Sequence, residues 1–162
     1  MKVLVTVKEV AEVDDEFDIS GLDIDERSLE YDLNEWDDYA VEEAVQISEE
    51  NDEAEVVTVT IGPERAEETI RMALAKGADR AIRVWDDTLE AATFLDVDTK
   101  ADIVAAVAET EEPDLVLTGV QAGDDANGST GESTTPSSRP TSASVCASSV
   151  FRWACRMPRR LA

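Results

Sequence analysis

The sequence predicts a three-layer α/β fold, in which helices cover both faces of a mostly parallel sheet. Segments rich in β-branched residues alternate with segments of helical spacing, which is typical of βαβ units with right-handed crossovers. The segment Asp114–Thr130 reads as a short buried strand followed by a loop of small and acidic residues. Because open α/β sheets bind ligands at the carboxyl ends of their strands, this loop indicates a nucleotide site, with an ordinary strand-to-helix loop as the alternative.

Two strands and one helix are predicted near the start of the chain. Lys2–Val7 is rich in Val and Leu and predicts a buried first strand. Glu9–Arg27 is acidic and is expected to be irregular, whereas Ser28–Leu33 is expected to be a short edge strand. Asn34–Asp38 predicts a turn and a helix start, since Asn and Asp suit an N-cap. The helix should continue over Tyr39–Glu50, where apolar residues form one stripe.

Strands and helices are then predicted to alternate as far as residue 118. Gly62 and Pro63 should end the second long strand, and Gly77 should end the helix that follows. The remaining predicted elements are strands over Glu55–Ile61, Arg80–Val84 and Asp114–Thr118 and helices over Arg65–Lys76 and Lys100–Thr110.

The chain is strongly acidic, with 38 Asp and Glu, 14 Lys and Arg, no His and a net charge of −24. Such a surface repels nucleic acid and anionic membranes, so neither is expected as a partner. Two interpretations remain, an acidic interaction surface or a halophilic protein from a cytosol at very high salt. The acids are spread over Asp14–Glu112 rather than gathered in one tail, which favours the high-salt interpretation.

Several functional classes are excluded by composition. There is no N-terminal signal and no apolar run of about 20 residues, so a cytoplasmic protein is expected. The absence of His, and of Cys before Cys146, excludes a His/Cys metal site and a Ser–His or Cys–His catalytic pair in the acidic part. Adjacent acids on so acidic a surface are expected to be solvated. We therefore predict neither a metal site nor a catalytic residue.

Residues 132–162 differ in composition from residues 1–131 and are predicted to be a separate, atypical tail. All but one of the 38 acids lie in residues 1–131, whereas five Arg, both Cys and three of the five Pro lie in the tail. The tail is interpreted either as a disordered basic arm or as a reading-frame error. We favour the second, because frame-shifted GC-rich codons yield Arg, Pro, Ser, Thr, Ala and Cys. Cys146 and Cys155 are then incidental thiols.

Four segments resemble the β subunit of electron-transfer flavoprotein, including the form associated with nitrogen fixation and quinone reduction. The resemblance covers Met1–Gly131 in order and spacing, and is most specific where ETIRMALAKGADRAI is paired with DLVLTGVQAGDD. The segments are Val3–Val10, Asn34–Val45, Ile61–Arg80 and Asp114–Gly131. Residues 1–131 are thus predicted to be the N-terminal part of that family's nucleotide-binding domain. Since family members are considerably longer, the fold is expected to be incomplete at its C-terminus.

The resemblance implies a Rossmann-like fold, similar to adenine nucleotide alpha hydrolases, and a function in electron transfer. The family's β subunit pairs with an α subunit, and the heterodimer carries FAD. The β site holds AMP, or a second FAD in electron-bifurcating members. Electrons pass from acyl-CoA or other flavin dehydrogenases to a membrane quinone reductase. The β subunit is an electron-carrier subunit rather than an enzyme, because it makes no bonds of its own.

The resemblance also implies which residues contact the nucleotide. They lie at carboxyl ends of predicted strands or at a helix start, where physical reasoning also places a nucleotide. The implied contacts are Thr6, Asn34, Glu35, Trp36, Asp37, Ile61, Gly62, Gly119, Gln121, Ala122, Gly123, Asp124, Asp125, Asn127, Gly128, Ser129 and Thr130.

Individual roles follow from the chemistry of these side chains. Backbone N–H groups around Gly128–Thr130 and the hydroxyls there are expected to hold phosphate. Asp124 and Asp125 are poor phosphate ligands, so they are expected to orient the loop, hold ribose hydroxyls or cap backbone N–H groups, unless they are simply exposed loop acids. Trp36 is expected either to line the adenine pocket or to be a partly buried packing residue.

Two other functions are weighed against this one. The first is a stand-alone nucleotide-binding regulator similar to universal stress proteins, whose Gly-x-x-Gly pattern is not matched by the spacing of Gly119 and Gly123. The second is a non-functional remnant of a disrupted gene.

Overall fold

The structure, a computed structural model, describes residues 1–21, 23–92, 95–124, 131 and 153–156. Strands and helices alternate as predicted. The strands are β1 (Lys2–Thr6), β2 (Glu9–Val13), β3 (Ile19–Ser20), β4 (Asp23–Ile24), β5 (Leu29–Leu33), β6 (Glu55–Ile61), β7 (Arg80–Val84), β8 (Leu115–Thr118) and β9 (Trp153–Arg156). The helices are α1 (Glu35–Glu49), α2 (Glu67–Ala75), α3 (Asp87–Ala91) and α4 (Val97–Glu111).

The central sheet has the strand order β7-β6-β1-β8-β9. Its first four strands are parallel, which confirms the predicted fold class, and β9 is antiparallel to β8. The chain moves outward from β1 through β6 to β7 and then returns to place β8 on the other side of β1. The strand order therefore reverses between β1 and β8. In open α/β sheets such a reversal creates a crevice at the carboxyl ends of the two strands.

Helices cover both faces of the sheet, as predicted for three layers. Side chains alternate along β1, so that Val3 and Val5 pack against α1 and α2, whereas Leu4 packs on the opposite face with α4. The helices contribute mainly small residues to these contacts, for example Ala40 and Ala108, which are almost fully buried. Small helical residues let the helices approach the sheet closely. The cores on the two faces hold the carboxyl ends of the strands in fixed positions.

One prediction was wrong: Glu9–Arg27 is not simply irregular. Within it, β2 pairs antiparallel with β5 along its whole length, from Glu9 opposite Leu33 to Val13 opposite Leu29. The pattern gave little signal because β2 buries little besides Val10. The hairpin is held to the body of the fold by Leu33 of β5, which packs in the core, and by Arg65, whose side chain pairs with Glu9 at 2.8 Å and lies 4.5 Å from the ring of Tyr31.

Helix boundaries differ from the predictions by a few residues, for identifiable reasons. A 3₁₀ turn at Glu64–Ala66 precedes α2, and Gly77, with φ of +119°, follows it. α4 begins before Lys100 because Asp96 accepts a hydrogen bond from the backbone N–H of Thr99 at 2.8 Å. The short helix α3 was not predicted. It begins at Asp87, after Asp86 caps its free N–H groups.

β9 lies within the segment predicted to be an atypical tail. Its backbone pairs with β8 from Trp153 opposite Thr118 to Arg156 opposite Leu115. The other residues of 132–162 lie outside the described part of the chain, and the predicted boundary after Gly131 stays a prediction. In the described residues, no helix has both the length and the apolar character needed to cross a membrane.

A cluster of charged side chains joins the amino-terminal edge of the sheet to the end of α4. Glu111 accepts hydrogen bonds from Lys2 at 3.1 Å and from Arg80 at 3.0 Å. Glu55 lies 3.3 Å from the same Arg80. Hydrogen bonds from Arg80 and Lys2 lower the pKa of Glu111 to about 2. The cluster ties β1, β6, β7 and α4 together at the edge opposite the crevice.

Glu111→Gln is expected to lower the free energy of unfolding at pH 7 by about 1 kcal/mol, since the pairs are partly exposed. Because the folded pKa of Glu111 is depressed, its stabilising contribution is present above pH 4.5 and is lost as the pH falls toward 2. Urea unfolding at pH 7 and pH 2.5 measures the difference in free energy of unfolding between the variant and wild type. Glu109→Gln, at an exposed position on the same helix, is the control. Equal effects of the two variants at pH 7 would contradict the prediction.

Candidate functional site

A cleft opens at the carboxyl edge of the sheet, where the strand order reverses. The described residues enclose about 140 Å³ between the ends of β1, β6 and β8, the start of α1 and the amino-terminal half of α4. Its lining residues are Thr6, Val7, Lys8, Asn34, Asp37, Val59, Ile61, Leu95, Lys100, Val104, Gln121 and Ala122. The position matches the place where open α/β sheets bind their ligands.

Asp37 is the most unusual residue of the cleft, because its carboxylate is buried and only 5% of the residue is exposed. One carboxylate oxygen accepts a hydrogen bond from the backbone N–H of Lys8 at 2.9 Å, and the other accepts from Gly119 at 3.1 Å. Burial raises the pKa of Asp37 to about 6, although Asn34, Lys8 and Gly119 all act to lower it. The carboxylate therefore joins the loops that follow β1 and β8.

The backbone at Gly119 passes too close to α1 for a side chain. A Cβ atom there would lie 2.3 Å from a carboxylate oxygen of Asp37 and 3.0 Å from backbone atoms of Trp36 and Asp37. Glycine is thus required by close approach, and its N–H can reach the buried carboxylate for the same reason.

Asn34 fixes the same two loops from the first position before α1. Its side-chain amide donates to the carbonyl of Gln121 at 3.0 Å, and its backbone N–H donates to the carbonyl of Lys8 at 3.0 Å. The side chain makes no capping hydrogen bond to its own helix. Asn34 was predicted as an N-cap, and it occupies that position while its side chain holds the loop after β8.

Two lysines line the cleft that were not predicted. The ammonium group of Lys8 forms an ion pair with Asp124, and both side chains are about one-third exposed (33% and 31%). Lys100 reaches the cleft from α4. The chain has only four lysines, and the placement of Lys8 two residues after β1 was a usable signal. Lys100 carries no such signal, because its position depends on how α4 packs.

The structure brings six of the implied contact residues to the cleft: Thr6, Asn34, Asp37, Ile61, Gln121 and Ala122. Gly62, Gly119, Gly123 and Asp124 are not lining residues, although Gly62 follows Ile61 and Gly123 and Asp124 follow Ala122 in the chain. Glu35 and Trp36 are not among the lining residues. Glu35 accepts a hydrogen bond from the hydroxyl of Tyr39 at 3.2 Å, and the Trp36 ring lies edge-on to the same tyrosine at 6.2 Å. Asp125, Asn127, Gly128, Ser129 and Thr130 lie outside the described residues.

The chemistry of the lining fits part of an adenine nucleotide. Val59, Ile61, Leu95 and Val104 offer apolar surface to a planar base. Thr6, Asn34 and Gln121 offer polar groups, and the two lysines bring positive charge suited to phosphate. The enclosed volume is below the 300–1,000 Å³ usual for whole ligand pockets, so these residues fit the base and ribose better than a complete dinucleotide.

Comparison with known sequences decides the family. Residues 21–132 match the family described as the electron transfer flavoprotein domain. The chain belongs to the electron transfer flavoprotein family. It is 48% identical over 134 residues to the electron transfer flavoprotein subunit beta of Methylophilus methylotrophus, covering 81% of this chain and 50% of that protein. The subunits beta of Bradyrhizobium diazoefficiens and Homo sapiens are 40% and 39% identical over 135 and 138 residues, or 82% and 83% of this chain.

The comparisons confirm the resemblance to electron transfer flavoprotein β subunits. The chain spans about half the length of these relatives, namely 52% of the Bradyrhizobium protein and 53% of the human one. The family match ends at residue 132, beside the predicted boundary. The matched residues include α1, β6, α4 and the loop after β8, all of which contribute lining residues to the cleft, whereas β1 precedes the match.

Proposed function

We propose that this chain is the nucleotide-binding part of an electron transfer flavoprotein β subunit and holds an adenine nucleotide in the cleft between β1 and β8. The single observation that carries the proposal is the position of the cleft. It lies where the strand order reverses, and loops from three parallel strands converge there around the buried Asp37. Membership of the family supports the same assignment.

In this proposal the chain's own residues position the nucleotide. The apolar side chains hold the base, Thr6, Asn34 and Gln121 orient it, and Lys8 and Lys100 compensate phosphate charge. The backbone N–H groups and hydroxyls of Gly128–Thr130 are proposed to supply the remaining phosphate contacts. The β site holds AMP or FAD, and a further FAD is shared with an α subunit. Bound flavin supplies the electron chemistry by accepting and releasing electrons.

The proposed partners follow from the family rather than from the cleft. An α subunit completes the heterodimer, acyl-CoA or other flavin dehydrogenases supply electrons, and a membrane quinone reductase accepts them. Nucleic acid is not proposed as a partner, because the net charge of −24 repels it. We propose a cytoplasmic, halophilic protein with no bond-making chemistry of its own.

Titration calorimetry of the purified full chain in molar KCl tests the nucleotide assignment. AMP and FAD are titrated separately, and nucleotide released by denaturing the protein is identified by mass spectrometry. Binding of either one supports the proposal. Selective ATP binding without an α subunit or flavin would instead favour the stand-alone regulator. Absence of binding by folded protein would contradict the proposed function.

Lys100→Gln is expected to weaken AMP binding about tenfold, because it removes a positive charge from the cleft, while adenosine binding should hardly change. Lys76→Gln is the matched control, since Lys76 pairs with Asp38 outside the cleft. Calorimetry with AMP and adenosine on both variants measures the difference. A similar loss for both ligands would show that the residue acts on folding or on the base rather than on phosphate.

A further inference from the structure

The carboxylate of Asp37 is used in a way that its place in the helix does not explain. Asp37 is the third residue of α1, where an acidic side chain normally accepts hydrogen bonds from the free N–H groups of its own helix. Here its two oxygens instead accept from Lys8 and Gly119, which belong to two other loops. Burying a charged carboxylate between two loops costs free energy, which indicates that the carboxylate has a role in holding those loops.

The two loops diverge from strands that are paired side by side. β1 and β8 are in parallel register from Val3 opposite Leu115 to Val5 opposite Leu117. In the described residues the ladder ends there, and Lys8 and Gly119 lie in the segments that follow the two strands. The carboxylate of Asp37 spans the separation, at 2.9 Å and 3.1 Å from the two nitrogen atoms.

We propose that Asp37 is a positioning residue whose ionised carboxylate holds the two loops at the spacing required for nucleotide binding, and whose protonation releases both the loops and the nucleotide. The inference rests on the proposed function and deepens it by making nucleotide retention dependent on pH.

The chemistry of a carboxyl group explains this coupling. An ionised carboxylate accepts hydrogen bonds at both oxygens, whereas a protonated one carries an O–H donor at one of them. Protonation therefore removes the negative charge and places a hydrogen on one oxygen, which weakens the hydrogen bonds from the N–H groups of Lys8 and Gly119. The pKa of Asp37, raised by burial to about 6, brings this transition close to physiological pH.

Four other charged groups lie around Asp37, and none of them is buried as Asp37 is. Lys8 follows β1 and Lys100 lies on α4, and both side chains line the cleft. Asp124, on the loop after β8, is paired with Lys8, and Asp38, next along α1, is paired with Lys76. Both carboxylates are about one-third exposed (31% and 33%), in contrast to Asp37.

Release of the nucleotide is separable from acid unfolding. Because the pKa of Asp37 is raised in the folded state, its contribution to folding stability is fully present below pH 3.8 and is lost as the pH rises through about 6. Protonation of Asp37 at low pH is thus expected to stabilise the folded chain and, at the same time, to weaken nucleotide binding. If Asp37 controls retention, the affinity for the nucleotide should fall between pH 7.5 and pH 5 while the chain stays folded.

AMP binding by the full chain is measured by calorimetry from pH 5 to pH 8 in molar KCl, for wild type, Asp37→Asn and Asp38→Asn. Wild type and Asp38→Asn should lose about tenfold or more in affinity at the acid end, as for one group titrating within the range. Asp37→Asn should bind about tenfold more weakly at pH 7.5. The phosphate of AMP also titrates near pH 6, so only the difference between wild type and Asp37→Asn is diagnostic.

Nuclear magnetic resonance keeps the test valid if Asp37→Asn folds poorly. The amide resonances of Lys8 and Gly119 in wild type should shift together, with one midpoint near pH 6. Separate or absent titration of these amides, or an affinity difference that does not vary with pH, overturns the inference. AMP binding that is the same in all variants also overturns it and leaves the proposed function intact. No binding by wild type at any pH contradicts the proposed function, and the inference fails with it.

Discussion

Gly119→Ala is expected to destabilise the chain by about 3 kcal/mol, which lowers the melting temperature by roughly 6–12 °C. The added Cβ would lie 2.3 Å from a carboxylate oxygen of Asp37 and 3.0 Å from backbone atoms of α1. Backbone cannot move aside as the end of a flexible side chain can. Relief of the contact requires the loop after β8 to move outward, which breaks the hydrogen bond from Gly119 to the buried carboxylate.

Gly123→Ala provides the matched control for this stability measurement. Gly123 lies four residues further along the same loop, and a Cβ there would meet no described heavy atom within 4 Å. Its effect on the free energy of unfolding is expected to stay within about 0.5 kcal/mol. Thermal and urea unfolding of both variants measure the contrast. Equal stabilities of the two variants would mean that the loop after β8 does not pass α1 as closely as described.

Salt is expected to have the second large effect, raising the free energy of unfolding by about 2 kcal/mol between 0.1 M and 2 M KCl, or roughly 4–8 °C in melting temperature. The net charge of −24 favours expansion of the chain by self-repulsion. The screening length falls from about 10 Å at 0.1 M salt to about 3 Å at 1 M, which removes most of that repulsion. Scanning calorimetry over a KCl series measures the effect.

The carboxyl end of α1 offers a control for the electrostatic origin. Glu49 and Glu50 are exposed there, at the negative end of the helix dipole, with no basic residue in the last turn. The double variant Glu49→Gln with Glu50→Gln should be more stable than wild type in 0.1 M KCl, by about 1 kcal/mol, and nearly equal in 2 M KCl. A salt gain unchanged by this substitution would point to hydrophobic strengthening rather than charge screening.

The main sheet was predictable because each of its parallel strands carries its own signal. Glu55–Ile61 and Arg80–Val84 agree with their predicted bounds to the residue. The β-branched run in Glu55–Ile61 is buried on both faces, which leaves little choice of conformation, whereas Arg80–Val84 is an edge strand that is only partly buried. β2 gave no such signal. β2 is formed because it pairs with β5 and because Arg65, far away in the sequence, pairs with Glu9. Neither interaction can be predicted from the sequence EVAEV alone.

The candidate site was predictable to the extent that it follows from strand ends. Thr6, Ile61 and Gln121 lie at the carboxyl edge because the topology brings all strand ends there. The direction of each side chain could not be predicted in this way. Trp36, one residue before Asp37, packs against Tyr39 instead of lining the cleft. The buried bridge from Asp37 to Gly119 joins residues 82 positions apart, and no local pattern encodes it.

The two edges of the sheet differ in how they are held, and this determines where the molecule can open. The amino-terminal edge is joined by the cluster of Lys2, Glu55, Arg80 and Glu111, which links several elements at once. Across the cleft, the loops after β1 and β8 are joined by Asp37 and Asn34. Regions held by few contacts open locally without global unfolding. Amide hydrogen exchange should thus be fastest at the cleft edge, so that a ligand enters and leaves through opening fluctuations confined to one end of an intact sheet.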